Sequence, residues 1–427
     1  MRGDGDHIPG YRVVIVTMDS HVAGPAARVS ERLAAEFPGL NVSVHASAEW
    51  AENQQALEEA RLAIRHGDII IANLLFIEEH ITAILPDLQA RRNECDAMIG
   101  MVSAKEVVSI TRMGDLDMSK PTSGPMKLLK KLRGAKSPSA SSGEKQMRML
   151  RRLPKILKFI PGKSQDLRAW FLSMQYWLGG SDDNVEQMVR FLIGRYAKDE
   201  ALQGATANAP IDYPEVGLYH PDLPGGRITT EVADLPQPEN PIATVGLLMM
   251  RSYVLASDAA HYDGVIRQMQ EAGLAVVPAF AGGLDGRPAI SKYFAGGKVD
   301  AMVSLTGFSL IGGPAYNDSP AAVEVLKELD LPYIAAHPIE FQTLGQWAAS
   351  SGGLGPVETT ILVALPEIDG ATNPTVFGGR HGTDGCQGCR HMCQSTSSTK
   401  AMAPCHERIG SLVEKTKRMA LLRRKEN

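Results

Sequence analysis

The sequence has no long apolar run and little net charge, and each absence excludes a class of protein. No run approaches the ~20 apolar residues that a membrane-spanning helix needs. Residues 1–12 carry charge but no apolar signal-peptide core. The formal net charge is −4 over 427 residues, so overall charge gives no basis for nucleic-acid binding. These features predict a cytoplasmic protein with no membrane span and no nucleic-acid partner.

Nucleotide-binding motifs are also missing. Gly162, Lys163 and Ser164 resemble the end of a P-loop, but Leu157 occupies the position of its first glycine, and a basic helix precedes them in place of a strand. No G-x-G-x-x-G fingerprint follows a predicted strand either. We therefore predict a helix start near Ser164 and no ATP site there.

Residues 1–118 alternate strand and helix patterns. Continuous apolar runs at residues 12–18, 68–74 and 97–103 are typical of strands buried on both faces, and residues 40–47 alternate like a strand. Helical patterns separate these four stretches. The β-α-β-α-β-α-β order predicts a Rossmann-like domain with a parallel, doubly wound sheet.

Residues 119–205 are predicted to form a basic linker followed by a helical pair. Residues 120–168 contain 14 Lys or Arg but only two acidic residues. Aromatic residues are not interleaved with these charges, which favours a solvated or partner-docking linker over nucleic-acid or lipid binding. Two apolar stripes at helical spacing follow: Leu167, Trp170, Phe171, Met174 and Leu178, then Val185, Met188, Val189, Leu192 and Tyr196.

A second doubly wound α/β domain is predicted at residues 206–380. A Pro- and Gly-rich extended connection, residues 201–241, leads into its strands. The predicted strands are residues 243–252, 274–280, 299–306, 331–337 and 359–367. Ligands of parallel sheets gather at the carboxyl ends of the strands. Candidate ligand contacts there are Ala281-Gly282-Gly283 and Gly312-Gly313, with simple turns as the alternative. His21, which follows the first strand of the N-terminal domain, and His220 also lie where a ligand could be met, with a polar turn residue as the alternative.

The hydrophobic content of 44% is enough for two or three domains. Residues 381–427 are different, because they hold four of the five cysteines and a charged helix. Cys386, Cys389, Cys393 and Cys405 follow the spacing C-x2-C-x3-C-x11-C. Four thiolates so close together suit an Fe–S cluster or structural Zn, and the compact triple favours Fe–S. His391 and His406 are predicted to be solvated or to support the ligands.

Four stretches of the chain resemble the large H-subunit family of magnesium chelatase. They are residues 13–24, 154–197, 307–347 and 373–409. The likeness covers nearly the whole chain, and the related cobaltochelatase large subunit shares the later region less closely. Members of the H-subunit family are much longer, so the resemblance implies an N-terminal portion.

The resemblance implies a part in chlorophyll or bacteriochlorophyll synthesis, and so in photosynthesis. The H subunit binds protoporphyrin IX, and two partner subunits, one an AAA+ ATPase, drive ATP-dependent insertion of Mg²⁺ in a ligase-type reaction. Because Mg²⁺ gives up its waters reluctantly, coupling to ATP has a physical reason. The family's metal-insertion residues lie outside this chain, so we assign no catalytic residue and expect no activity from this portion alone. In some bacterial members the matching cysteine motif is associated with an Fe–S cluster, which here implies 4Fe–4S.

Two other hypotheses remain open. The chain could be an Fe–S regulatory or docking module that binds no porphyrin, or a fragment of the cobaltochelatase large subunit. The match over the first 200 residues favours magnesium chelatase over cobaltochelatase. Sequence alone does not identify the residues that contact porphyrin.

Overall fold

The computed structural model describes residues 10–18, 22–47, 50, 53–120, 154, 157, 160–224, 227–313, 316–380 and 402–426. The chain divides into two compact units, Met1–Asp212 and Tyr213–Asn427. Among the described residues, no helix combines the length and the apolar character that crossing a bilayer requires.

The first unit is built on a six-stranded sheet in the order β2-β1-β3-β4-β5-β6. The first four strands are parallel, and the last two add an antiparallel edge. Every residue of β3 and β4 is buried, as their continuous apolar sequences predict. The strands are β1 Tyr11–Thr17, β2 Leu40–Ala46, β3 Ile69–Asn73, β4 Ala97–Met101, β5 Arg112–Met113 and β6 Leu116–Asp117.

Six helices of the first unit are described. The side chain of Asn53 accepts the Ala56 N–H at the start of the second helix, and Ser181 caps the sixth in the same way. The helix predicted to start near Ser164 is confirmed and begins at Lys163. The helices are α1 Ala23–Glu36, α2 Gln54–His66, α3 Glu78–Arg91, α4 Lys105–Ser109, α5 Lys163–Gly179 and α6 Asp182–Tyr196.

The helical pair α5 and α6 shares one hydrophobic core with a face of the first sheet. The indole N–H of Trp170 donates to the carbonyl of Gly100 in β4 at 3.0 Å. On the surface, Arg28 of α1 pairs with Asp182 of α6. The pair therefore lies within the first unit, because its apolar stripes and the sheet face bury each other. Residues 121–153, most of the predicted basic linker, lie outside the described residues.

The second unit contains an eight-stranded sheet in the order β16-β15-β14-β11-β9-β10-β7-β8. Five neighbouring strands, from β15 to β10, are parallel. The prediction of an α/β fold with two sheets dominated by parallel strands is confirmed. The strands are β7 Val216–Tyr219, β8 Ile228–Thr229, β9 Ala243–Met250, β10 Leu274–Ala281, β11 Ala301–Ser304, β14 Tyr333–Thr343, β15 Thr372–Arg380 and β16 Met402–Pro404, with β12 Gly312–Gly313 and β13 Tyr316–Asn317 in a separate hairpin.

The helices of the second unit connect these strands. A 3-10 turn covers Val232–Asp234. A π-helical turn, Thr359–Ala364, joins the short helices Pro356–Glu358 and Leu365–Asp369. The helices are α7 Arg251–Leu255, α8 Ala260–Glu271, α9 Arg287–Tyr293, α10 Ser319–Leu329, α11 Leu344–Ala349, α12 Pro356–Glu358, α13 Leu365–Asp369 and α14 His406–Glu426.

The strand predicted at residues 359–367 is wrong, because the structure is helical there. The buried positions from α12 to α13 are Glu358, Leu362, Pro366 and Asp369, which have the spacing of one helix face. A short apolar run does not by itself distinguish a strand from a helix. The strand beside β14 is β15 instead. The connection predicted over residues 201–241 also contains β7, which extends the sheet antiparallel to β10, and β8, which pairs antiparallel with β7.

Candidate functional site

The carboxyl edge of the second sheet has the strand order at which parallel sheets bind ligands. The strand order β10-β9-β11-β14 puts β9, the first of the parallel strands along the chain, between the next two, β10 and β11. In open parallel sheets, ligands bind at the carboxyl ends of the strands where the order reverses in this way. Strands β9, β10 and β11 end at Met250, Ala281 and Ser304, and the loops that follow them meet at this edge.

A narrow cleft lies among these loops. Its walls come from residues 248–250, 283–286 and 308–310, together with Ala281 and Thr306. The cavity volume is about 20 Å³, so the cleft admits a small chemical group but not a macrocycle. Of the predicted contacts, Ala281 and Gly283 line the cleft. Gly282 instead donates its N–H to Glu215, and Gly312 and Gly313 form β12 in the separate hairpin.

The two main loops of the cleft are fixed to each other and to the helix behind them. Gly286 donates to the carbonyl of Leu310 at 3.0 Å, and Gly312 donates to that of Leu284 at 2.8 Å. The Asp369 carboxylate, at the end of α13, accepts the Ser309 hydroxyl at 2.6 Å and the Leu310 N–H at 2.9 Å. Asp369 is buried. The loops are therefore held in place before any ligand arrives.

Two buried histidines of the second unit, His261 and His337, were not predicted from the sequence. His261 on α8 is fully buried, and neither ring nitrogen has a partner among the described residues. Its ring packs against Tyr253, Tyr262 and Phe377, and burial lowers its pKa to about 3. In the sequence, His261 is only one position on an amphipathic face, so no local signal singles it out.

His337 lies on β14, where the pairing with β15 is irregular. The register shifts between His337 and Pro338, and again between Ile339 and Thr343. Such bulges re-aim side chains and are frequent beside functional sites. His337 is 2% exposed, its Nδ1 has no partner in the described part of the chain, and burial lowers its pKa to about 4. At neutral pH both buried imidazoles are therefore uncharged.

Of the four predicted cysteine ligands, Cys405 lies within the described residues. Cys386, Cys389 and Cys393 lie outside the described residues. Antiparallel pairing of Arg380 with Met402 brings the chain that leaves β15 back to the same edge of the sheet in β16. Cys405 follows directly: its N–H donates to Phe377 at 2.9 Å, and its carbonyl accepts the Ile409 N–H. Within the described ranges, no three His, Cys, Asp or Glu side chains are grouped to hold a metal.

The predicted histidines have ordinary structural contacts where they are described. His220 is fully buried; its Nδ1 accepts the Asp222 N–H, and its Nε2 lies 3.2 Å from Oε1 of Gln270. His406 is hydrogen-bonded to Gln268 at 3.0 Å. His21 and His391 lie outside the described residues.

Comparison with known families assigns both parts of the chain. Residues 12–171 match a domain of unknown function, DUF3479. Residues 174–427, more than half of the chain, match the model described as CobN/Magnesium Chelatase. The chain belongs to the CobN/magnesium chelatase family. The match to the CobN/magnesium chelatase model includes the cleft, both buried histidines and all four clustered cysteines.

Relatives with the same family resemblance are much longer than this chain. It is 67% identical over 422 residues to the H subunit of magnesium chelatase from Cereibacter sphaeroides, covering 97% of this chain and 35% of that protein. It is 32% identical to ChlH, the chloroplastic magnesium-chelatase subunit of Oryza sativa, covering 96% of this chain and 30% of that protein. The chain therefore spans about a third of the length of these relatives.

A solved structure shares the fold of this chain. The catalytic subunit of cobaltochelatase from Mycobacterium tuberculosis superposes with a TM-score of 0.53 at 15% identity. The match covers 97% of this chain and 28% of that one. At this identity the likeness supports the fold alone.

Proposed function

We propose that the chain is the N-terminal portion of the porphyrin-binding subunit of ATP-dependent magnesium chelatase. The complete complex inserts Mg²⁺ into protoporphyrin IX, a ligase-type step of chlorophyll and bacteriochlorophyll synthesis. The single observation that carries the proposal is the 67% identity over 422 residues to the H subunit of a bacterial magnesium chelatase. The likeness to cobaltochelatase is at the level of fold, so it gives no comparable support for cobalt.

In this proposal the chain binds and positions rather than catalyses alone. An AAA+ ATPase subunit and a second partner subunit supply ATP hydrolysis, which offsets the cost of stripping water from Mg²⁺. The chain's own contribution in this proposal is the cleft at the carboxyl edge of the second sheet, whose loops are hydrogen-bonded to each other. We place the protein in the cytoplasm, a reducing compartment where clustered cysteines bind metal rather than form disulfides.

Porphyrin binding by the chain itself is the direct test. Titration with soluble deuteroporphyrin IX, followed by tryptophan quenching and the porphyrin absorption band, is expected to show saturable binding in the micromolar range or tighter, about −8 kcal/mol. Such binding supports a tetrapyrrole site within this portion. A folded sample that binds no porphyrin contradicts it and favours the hypothesis of an Fe–S docking or regulatory module.

We also propose that Cys386, Cys389, Cys393 and Cys405 hold a 4Fe–4S cluster, with Zn as the alternative metal. Four thiolates are the donor set that either centre takes. Cys405 directly precedes α14, a helix of 21 residues, and the positive end of a helix stabilises a thiolate. The pairing of β15 with β16 supports the proposal further. Arg380 and Met402, which flank the segment that contains the other three cysteines, are paired with each other, and Cys405 follows three residues after Met402. A bound cluster would cross-link this segment and could accept or donate an electron.

The cluster proposal predicts which glycine substitution disturbs it. A Cβ at Gly264 of α8 would lie 2.8 Å from Cβ of Pro404, the residue before Cys405, whereas a Cβ at Gly410 would meet only Oε1 of Gln268 at 3.9 Å. In anaerobically purified protein, Gly264→Ala is expected to lower the iron and acid-labile sulfide per chain several-fold, and Cys405→Ser to remove most of both. Gly410→Ala is the control and should match the wild type.

Metal analysis of the same samples distinguishes the alternatives. Zinc in place of iron and sulfide would support the structural Zn site. Wild-type protein that contains neither metal after anaerobic purification and reconstitution would refute metal binding by these cysteines. Equal loading of Gly264→Ala and Gly410→Ala would show that the position of Cys405 against α8 does not matter to the cluster.

A further inference from the structure

We propose that the cleft at the carboxyl edge of the second sheet binds a carboxylate group. Resting on the proposed function, we infer that this group is a propionate of the porphyrin, so that the rim of the macrocycle lies over the loops of residues 283–286 and 306–310. Nothing in the sequence patterns assigned a porphyrin contact, and the inference depends on the donors, size and walls of the cleft.

The donors are backbone N–H groups. In the described part of the chain, those of Gly283, Leu284, Phe308 and Ser309 have no hydrogen-bond partner, and all four residues line the cleft. Ser309 is 1% exposed. A buried N–H without a partner is rare because it costs free energy comparable to a lost hydrogen bond. Ser309 supplies one such buried donor. Gly283 and Leu284 are exposed and Phe308 is half-buried, and their N–H groups add donors that an anionic oxygen can use.

Of the two carboxylates near the cleft, Asp285 is paired with a cation, whereas Asp369 is hydrogen-bonded to the loop through one oxygen and its Oδ1 has no partner among the described residues. The Asp285 carboxylate forms a close ion pair with Arg287, with 2.6 Å between Oδ2 and the guanidinium. Asp369, behind the loop, accepts from Ser309 and Leu310 through Oδ2. In this proposal the attraction for a carboxylate comes from the peptide N–H groups of the two loops, as in other anion-binding loops.

The size and apolar walls of the cleft match one end of an amphipathic ligand. A cavity of about 20 Å³ takes a terminal carboxylate but excludes the tetrapyrrole ring. Leu248 and Met249 form buried walls, and Leu284 is 44% exposed at the rim. An apolar rim favours contact with the edge of a porphyrin over full solvation of the ligand. Because the loops are already hydrogen-bonded to each other, binding costs little ordering of the protein.

The test compares porphyrins that differ only in their carboxylates. The full chain is titrated with deuteroporphyrin IX and with its uncharged bis-amide in the same detergent. Wild-type protein is expected to bind the acid about tenfold more tightly than the bis-amide, a difference of about 1.4 kcal/mol. Leu284→Glu places a negative charge at the rim and is expected to abolish this preference, whereas Leu284→Gln, of the same shape but uncharged, should retain it.

Val357→Glu is the matched control, since Val357 is 59% exposed in the same unit and does not line the cleft. It should keep the wild-type preference. Equal affinity of wild-type protein for the acid and the bis-amide would overturn the carboxylate inference but leave porphyrin binding intact. Binding of neither porphyrin would refute the proposed function itself. Loss of the preference in Leu284→Gln or Val357→Glu would overturn the assignment to this cleft.

Discussion

Replacing His261 with phenylalanine is expected to raise the free energy of unfolding of the second unit, and to raise it more at about pH 5 than at about pH 8. His261 is fully buried among Tyr253, Tyr262 and Phe377, and neither ring nitrogen has a partner in the part of the chain described. A buried polar atom without a partner costs about 1–3 kcal/mol. Phenylalanine fills the same aromatic site without this cost.

The pH dependence follows from the lowered pKa. Burial lowers the pKa of His261 to about 3, whereas an unfolded histidine titrates near 6.5. Between these values the unfolded chain binds the proton and the folded chain does not. Stability is therefore lost as the pH falls below about 6.5, by up to about 1.4 kcal/mol per pH unit. His261→Phe removes this loss, while His337, whose pKa is lowered to about 4, contributes the same loss to both proteins.

His220→Phe is the matched control. His220 is equally buried, but both of its ring nitrogens are engaged, by Gln270 and by the Asp222 N–H. Replacing His220 should lower the free energy of unfolding at about pH 8 by roughly 1–2 kcal/mol, because its hydrogen-bond partners are left unsatisfied. Pulse proteolysis in urea, with peptides of each unit identified by mass spectrometry, measures both variants. A His261→Phe protein that is less stable than wild type at both pH values would show that His261 has a structural partner.

The parallel strands were the most predictable part of the fold. Strands β1, β3 and β4 are short apolar runs bounded by polar residues and helices, and burial on both faces leaves that pattern in the sequence. Residues 359–367 show the limit. Their apolar content suits a strand, yet Leu362 and Pro366 are buried at helical spacing. Which element borders β14 is decided by packing with the rest of the sheet, and no local pattern contains that information.

The position of the candidate site could be predicted from the sequence, but the groups that would bind a ligand there could not. Glycines after an apolar strand mark the carboxyl edge of a parallel sheet, so Ala281 and Gly283 could be named as candidate contacts from sequence. The unpartnered N–H groups of residues 308 and 309 could not, because they arise from the tertiary position of that loop. His261 and His337 were missed for the same reason. Both ring nitrogens of His261 and Nδ1 of His337 are buried without hydrogen-bond partners in the described part of the chain only because of how α8, β14 and β15 pack. The metal ligation by the four cysteines stays a prediction.

Gly100→Ala is expected to destabilise the first unit by about 3 kcal/mol, at the upper end of the cost of overpacking. A Cβ at Gly100 would overlap the carbonyl oxygen of Val107 and lie 2.8 Å from its carbonyl carbon. Both are backbone atoms of α4, so no side chain can rotate away. The Gly100 carbonyl also accepts the indole N–H of Trp170 at 3.0 Å. A shift of β4 away from α4 would therefore strain the attachment of α5 as well.

Gly24→Ala in α1 is the control for this substitution. Its Cβ would approach only the guanidinium of Arg28, at 3.3 Å, which can move, and alanine favours a helix over glycine by up to about 1 kcal/mol. Its stability should equal or slightly exceed that of the wild type. Three of the four tryptophans, Trp50, Trp170 and Trp177, belong to the first unit, so urea unfolding followed by tryptophan emission reports mainly on it. If Gly100→Ala unfolds at the wild-type urea concentration, α4 does not pack on β4 as described.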